Sequence, residues 1–353
     1  MLCELQFVIE VFRHCARSPV HIQDPFNFGS EWDIGPGQCT RAGERQHYLS
    51  GLKRRKEYIE DLNFLPDIYT PGTIYAESTD YNRTQMSGYA HLLGMYPFEK
   101  RRQYVISSDS KYPELENYTV TQYIPLHVGT AGRGLLDGYN SKTCHANAVT
   151  QAQSLEQSNA EFANVTFIRE MIQELNEKID FSNQKEFPKH YRFKNFSDIQ
   201  GFVDSYFAIN FENKEHDVVM SSNFIMHMKE YFKYEHFHTI YRSLYGTQIS
   251  NHHFFNMLIM LISKHAGIDT EVKPTNVTKS IPMDAKYYVL SAHDTTLTSL
   301  LSGLKNKEND FPVYASSLII ELHKDDSNGN FYVTFLYNGK NLKVNNRCNH
   351  HGQ

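Results

Sequence analysis

A nearly unbroken apolar run at 5–12 (LQFVIEVF), with Glu10 its only charge, has the length of a strand. Such a run lacks the polar alternation of a half-exposed strand, so it predicts one buried on both faces. Residues 287–292 (YYVLSA) repeat the pattern, and 73–77 give a shorter strand. Each of these two is followed by a helical stretch, 82–95 after the one and 295–304 after the other. Thr40 predicts the N-cap of a helix running to about residue 62, with Leu49, Leu52 and Ile59 on one face. Two further strands, 315–323 and 331–337, flank a turn at 326–330, and Asn338-Gly339 marks a tight hairpin turn. Residues 19–37 are rich in Gly, Pro and Asp and predict a long loop, a type that often carries function.

Between about 112 and 270 the pattern changes. Residues 146–179, 197–211, 221–245 and 251–265 look helical, with few strand signals. The expected fold class is therefore α/β. A mixed, mostly parallel central sheet carries helices on both faces, and a helical cap is inserted in the chain. The domain expectation follows: 1–111 and 271–353 build a discontinuous core. Residues 112–270 form a mostly helical insertion, its later helices packing back on that core. The length of 353 residues fits this at roughly 150 residues per domain.

Composition narrows the classes. With 40% apolar and 21% charged residues the chain is neither collagen-like nor disordered. A formal net charge of −5 gives no reason to expect a nucleic-acid partner. The longest uncharged apolar run, 254–262, falls far short of the ~20 residues a membrane span needs, so no span is expected. The first residues lack the basic start and apolar stretch of a signal peptide. The chain is thus expected to be cytosolic as written or to begin after a removed signal. The cysteines at 3, 15, 39, 144 and 348 have no C-x-x-C spacing, which speaks against a zinc or redox motif. Sequons at Asn82, Asn117, Asn164, Asn195 and Asn276 lean mildly toward a secretory route.

The chemistry gathers where strands end. The strand at 5–12 runs into Arg13-His14-Cys15-Ala16-Arg17-Ser18-Pro19. Open α/β sheets place ligands at the carboxyl edge of their strands. Two guanidiniums around an imidazole suit a doubly charged phosphate monoester: arginine offers paired donors to phosphate oxygens, and histidine can attack phosphorus. The strand at 73–77 leads into Glu77-Ser78-Thr79-Asp80-Tyr81-Asn82-Arg83-Thr84, placing a third arginine at a helix N-terminus, which itself favours anions. The strand at 287–292 leads into His293-Asp294-Thr295-Thr296, again at a strand-to-helix junction. Singly, each has a bland reading as basic loop, surface arginine or helix cap. Together they point to one site.

These three motifs resemble the histidine acid phosphatases, branch two of the histidine phosphatase superfamily. RHCARSP at 13–19 is similar to the family's R-H-G-x-R-x-P, STDYNRT at 78–84 to its S-T-D-x-x-R-T, and HDTT at 293–296 to its H-D-T-T. GQCTRAGERQHY at 37–48 and YASSLIIELH at 314–323 also look like the prostatic and lysosomal members. The resemblance implies that His14 is the nucleophile and forms a phosphohistidine. Arg13, Arg17, Arg83 and His293 bind the phosphate, and Asp294 donates the proton. A free aspartate titrates near about 4, so an acid optimum is expected. No metal or other cofactor is called for, since arginines take the part that a metal plays in other phosphoryl transfers. The resemblance further implies a secreted or lysosomal glycoprotein with disulfides, a small phosphate-ester substrate and a possible homodimer. It also implies a Cys144–Cys348 bond tying the cap to the tail.

One position departs from the pattern. Cys15 stands where the family has glycine. It strains the loop if that glycine needs a positive φ, packs harmlessly if not, or forms an oxidation-sensitive thiol beside His14. His236 with His238, His252–His253 and His350–His351 read as surface or packing residues rather than metal ligands. Asn82, next to Arg83, is expected to be unmodified. Alternatives to an acid phosphatase are a phytase (which usually shows Asn at the position of Thr296), a lysophospholipid phosphatase, and a phosphate-binding pseudoenzyme disabled by Cys15.

Overall fold

The computed structural model describes residues 3–20, 32–105, 119–130, 134–137, 143–181, 192–214, 218–305 and 310–344. In chain order its first elements are β1 (Cys3–Arg13), α1 (Arg41–Arg54), β2 (Ile74–Ser78) and α2 (Asn82–Met95). Three short strands follow: β3 (Gln103–Val105), β4 (Thr119–Thr121) and β5 (His127–Val128). Then come α3 (His145–Phe162), α4 (Thr166–Phe181), α5 (Gln200–Phe211), α6 (Ser222–Lys233) and α7 (Leu244–Ala266). The chain closes with β6 (Tyr287–Ala292), α8 (Asp294–Gly303), β7 (Ser317–Asp325), β8 (Phe331–Tyr337) and β9 (Lys340–Asn341).

Seven strands form one mixed sheet in the order β5-β2-β6-β1-β7-β8-β9. From β5 to β1 the neighbours run parallel, and from β1 to β9 antiparallel. The α/β class with helices on both faces stands as the sequence predicted. Side chains of β1 alternate between two cores. Phe7, Ile9 and Val11 pack with Phe254, Met257 and Leu261 of α7 and Leu297 and Leu300 of α8. Val8 and Phe12 pack with Leu92 and Met95 of α2 and with Tyr58 and Ile59 beyond α1. Burial on both sides explains why the run is apolar throughout, each such side chain contributing about 1.5–3 kcal/mol.

Glu10 is the exception in that run. Its carboxylate meets Arg54 Nε at 2.9 Å and His91 Nε2 at 3.2 Å, and accepts from the Tyr287 hydroxyl at 2.7 Å. Burial by itself would raise this carboxyl, but Arg54 and His91 outweigh it and hold it far below the usual range.

Helix α1 begins as expected: the Thr40 side chain accepts from the Gly43 amide, and a π-helical stretch, Arg55–Asp61, continues it. Its buried face keeps Ile59 of the residues expected there, but not Leu49. Leu49 is 44% exposed, and the stripe facing inward holds Gly43, His47, Gly51 and Arg54. Helices α1 and α2 approach too closely for large side chains. A Cβ at Gly51 would sit 2.0 Å from the His91 carbonyl oxygen, and one at Gly94 2.2 Å from that of Tyr48. Strand β5, inside the stretch that looks helical, belongs to the central sheet. At two residues it is too short to show a period.

Helices α3 to α6 share a core that includes Phe162, Met171, Phe202, Phe224 and Phe232. Ala16 from the loop after β1, and Phe311 and Tyr314 from the approach to β7, enter the same cluster. Helix α7 packs against α8. Among the described residues no helix is long and apolar enough to cross a membrane.

Candidate active site

The parallel strands β1, β2 and β6 deliver the three motifs to one edge of the sheet. After β1, the His14 amide donates to the Ala292 carbonyl at 2.9 Å, extending the pairing with β6 by one residue. The Cys15 amide donates to Ser87 Oγ of α2, and the Ala16 amide to Gln46 Oε1 of α1. The loop is thus gripped by both helices. Gly43 lets α1 come this close, since a Cβ there would meet the Ala16 carbonyl oxygen at 2.3 Å.

Cys15 forms a disulfide with Cys39, their Cα atoms 5.8 Å apart, just before α1. This removes one of the three alternatives for Cys15, the oxidation-sensitive free thiol. Cys144, expected to bond Cys348, is free among the described residues. Cys348, His350–His351, the Asn117 sequon and most of the loop at 19–37 lie outside the described residues. Cys15 is also absent from the described positions of positive φ, so the backbone here does not need glycine.

His14, Arg17, Arg83, His293 and Asp294 line a single cavity of about 370 Å³. Arg13 lies beneath it, with Nη2 2.7 Å from Asp294 Oδ2, Nη1 donating to the Pro312 carbonyl at 2.7 Å, and the guanidinium over the Tyr314 ring. Arg17 donates through Nη2 to both oxygens of Asp204 at 2.8 and 3.0 Å. Arg83 stands over the Tyr81 ring. The Nε atoms of Arg13, Arg17 and Arg83 are buried without a hydrogen-bond partner. Three guanidiniums gathered here with donors left unmet form a positive cluster whose charge an anion can offset.

The histidines are oriented as well. His14 Nδ1 lies 2.8 Å from the Cys15 carbonyl oxygen, which can only accept, so Nδ1 carries the hydrogen and Nε2 the lone pair. Burial, then the charges of Arg13 and Arg83, hold this imidazole well below its ordinary range, so the lone pair persists in acid. His293 Nε2 lies 2.9 Å from Thr79 Oγ1, whose own hydroxyl donates to Thr84 Oγ1. Burial and Arg83 lower His293 to about 3.

Asp294 opens α8. Burial would raise its carboxyl, but Arg13 and His236 outweigh that and hold it well below the usual carboxylate range. The free-aspartate value near 4 therefore does not describe this group.

Two side chains of the site carried no motif. Asp204, which anchors Arg17, is the lone carboxylate in the apolar run of α5 (QGFVDSYFAINF), and that isolation is the signal that marks it. His236, expected at the surface or in packing, is 5% exposed and lies behind Asp294, its Nε2 3.7 Å from Oδ1. Nothing in its local sequence distinguishes it from the neighbouring His238. The far wall of the cavity comes from Leu136, Asp137, Gln151, Tyr241, Ser250 and Asn251.

Comparison with known proteins agrees with the motifs. The chain is 26% identical to lysosomal acid phosphatase of Xenopus laevis over 346 residues, 97% of this chain and 71% of that protein. It is 43% identical to prostatic acid phosphatase of Mus musculus over 98 residues, 27% of this chain and 25% of that protein. Among solved structures, a Hafnia alvei phytase in complex with tartrate superposes with a TM-score of 0.65 at 16% identity. That match covers 95% of this chain and 84% of that one, and it speaks for the fold. The family model of the histidine phosphatase superfamily (branch 2) matches residues 4–338, and the chain belongs to that family.

Proposed function

We propose that the protein is an acid phosphatase that hydrolyses phosphate monoesters through a phosphohistidine on His14, with Asp294 as proton donor. The observation that carries this is that His14, with the lone pair on Nε2, lines one cavity with Arg17, Arg83 and His293, while Arg13 holds Asp294, which lines it too. The guanidiniums hold the phosphoryl oxygens and offset the charge that grows in the transition state. His293 joins them through Nδ1 once the bound phosphate's charge raises the ring enough to take a second proton. His14 Nε2 attacks phosphorus, the ester P–O bond breaks, and the leaving oxygen takes a proton from Asp294. Water then attacks the phosphohistidine, gives its proton back to Asp294, and frees phosphate. The arriving phosphate adds negative charge beside Asp294, which pushes its carboxyl upward toward a value where it can donate.

The stretch 112–270 serves as a cap whose Gln151, Tyr241, Ser250 and Asn251, with Asp137, face the leaving group. Amides, hydroxyls and a carboxylate there suit a hydrogen-bonding alcohol. A lysosomal or secreted location is supported by the named relatives, the disulfide, and exposed sequon asparagines at 164 and 276.

Steady-state hydrolysis of an aryl phosphate across acid to neutral pH, with no added metal, tests this. We expect activity that is highest in acid and is lost in His14→Ala. A folded protein with no turnover refutes it and leaves a phosphate-binding pseudoenzyme.

A further inference from the structure

A difficulty in the proposed reaction leads to one more residue. Asp294 has donors on both oxygens: Arg13 Nη2 on Oδ2 at 2.7 Å and the Thr295 amide on Oδ1 at 2.7 Å. Such an arrangement stabilises the carboxylate, whereas the leaving group needs the acid. A second proton holder stands behind it. His236 Nδ1 lies 3.0 Å from the Phe232 carbonyl oxygen, an acceptor only, so Nδ1 keeps a hydrogen in every protonation state. The atom that gains and loses a proton is Nε2, and it faces Asp294 Oδ1 at 3.7 Å. The ring is walled by Phe311 and Phe232.

The charged groups around it are few. Glu235, on the same π-helical stretch, places Oε2 3.7 Å from Nδ1 and takes a hydrogen bond from Gln200. Asp294 approaches from α8, and Arg13 from β1 acts in the opposite sense. Burial lowers the imidazole, but Glu235 and Asp294 outweigh it and raise His236 above its ordinary value. Burial pushes Glu235 itself up to about 7, with Asp294 and Asp204 adding to the rise.

We propose that His236 is a positioning residue that stores the proton for the leaving group and supplies it through Asp294. This rests on the phosphatase function proposed above and adds the source of its acid. As the His14–phosphorus bond forms and the ester P–O bond breaks, the His236 Nε2 proton passes to Asp294 and on to the leaving oxygen, which leaves His236 neutral and Asp294 a carboxylate. When water splits the phosphohistidine, its proton returns through Asp294 to Nε2. Protons balance over the cycle with no further reactant. The 3.7 Å gap closes on substrate binding, as hydrogen bonds between catalytic groups commonly do.

The test uses two esters that differ in their need for acid: a nitrophenyl phosphate, whose leaving group departs as the anion, and glycerol phosphate, whose alkoxide must be protonated. His236→Gln is expected to lower kcat on glycerol phosphate at least about tenfold more than on the nitrophenyl ester. Glu235→Gln, which keeps the imidazole, is expected to move the alkaline limb of kcat for glycerol phosphate to lower pH. Equal losses on both esters in His236→Gln, or an unmoved limb in Glu235→Gln, overturn the proposal. A parent that hydrolyses neither ester overturns it together with the phosphatase function. A parent active on both, and silenced by His14→Ala, keeps the phosphatase function whichever way His236 falls.

Discussion

Strand β1 carries two buried arginine–carboxylate pairs within one turn of sequence, and they are built in opposite ways. At Glu10 the arginine is closed off: Arg54 spends Nε on Glu10, Nη1 on Glu57 and Nη2 on Ser317 Oγ, while the Tyr287 hydroxyl donates to the carboxylate and His91 Nε2 lies 3.2 Å from it. At Arg13, the last residue of the strand, the pair with Asp294 is left incomplete. The Nε atoms of Arg13, Arg17 and Arg83 have no partner, and the surroundings open into a cavity. A saturated buried pair serves the fold, because removing one member strands the other. An unsaturated cluster of like charges costs stability on its own and recovers it when an anion binds. The same residue types are therefore closed off at Glu10 and left open at Arg13, three positions later, beside the cavity.

The comparison is broken most severely at His14, the proposed nucleophile. His14→Ala is expected to lower turnover on the order of a thousandfold or more, read as kcat on an aryl phosphate, with a melting curve close to the parent's. Next come the two arginines. Arg83→Ala should cost roughly 10²–10³-fold in kcat/KM while leaving unfolding by denaturant little changed. Arg54→Ala should do the reverse, losing about 3–5 kcal/mol of stability because Glu10 is left buried and unpaired. If the two variants behave alike, the distinction between closed and open pairs is wrong.

Smaller effects sharpen it. Opening the Cys15–Cys39 bond in a double serine variant should cost about 3 kcal/mol for a sequence separation of 24. Activity at low temperature should survive, because helices α1 and α2 still hold the loop. The Glu10 pair gives a signed dependence on pH. Its folded carboxyl titrates far below the ordinary 4.5, so its stabilisation is complete above that value and declines as pH falls beneath it. Denaturant midpoints measured from neutral to strongly acid pH should show this decline in the parent and less of it in Glu10→Gln. Thr40→Ala should be the mildest, about 1 kcal/mol, from loss of the cap on the Gly43 amide.

What the sequence revealed follows a physical line. Buried strands and the helices after them announce themselves by long apolar runs, and Tyr287–Ala292 and Asn82–Met95 have the bounds the pattern suggests. The three motifs were readable because each sits beside such a strand end. The inner face of α1 was not, because Gly43 and Gly51 make contact by lacking side chains, which no count of hydrophobic residues registers. The Cys15–Cys39 bond joins residues 24 apart through a fold that spacing alone does not specify. His236 was hidden for a similar reason: its importance comes from α8 arriving behind it, some 58 residues later in the chain.

The most direct measurement is to trap the covalent intermediate. The protein is mixed with radiolabelled aryl phosphate, quenched in alkaline denaturant within a turnover, and digested to locate the label. The assignment of His14 predicts an acid-labile, base-stable label on the peptide carrying residues 13–19, present in the parent and absent in His14→Ala. Turnover without any trapped label, or a label that persists in His14→Ala, would contradict it.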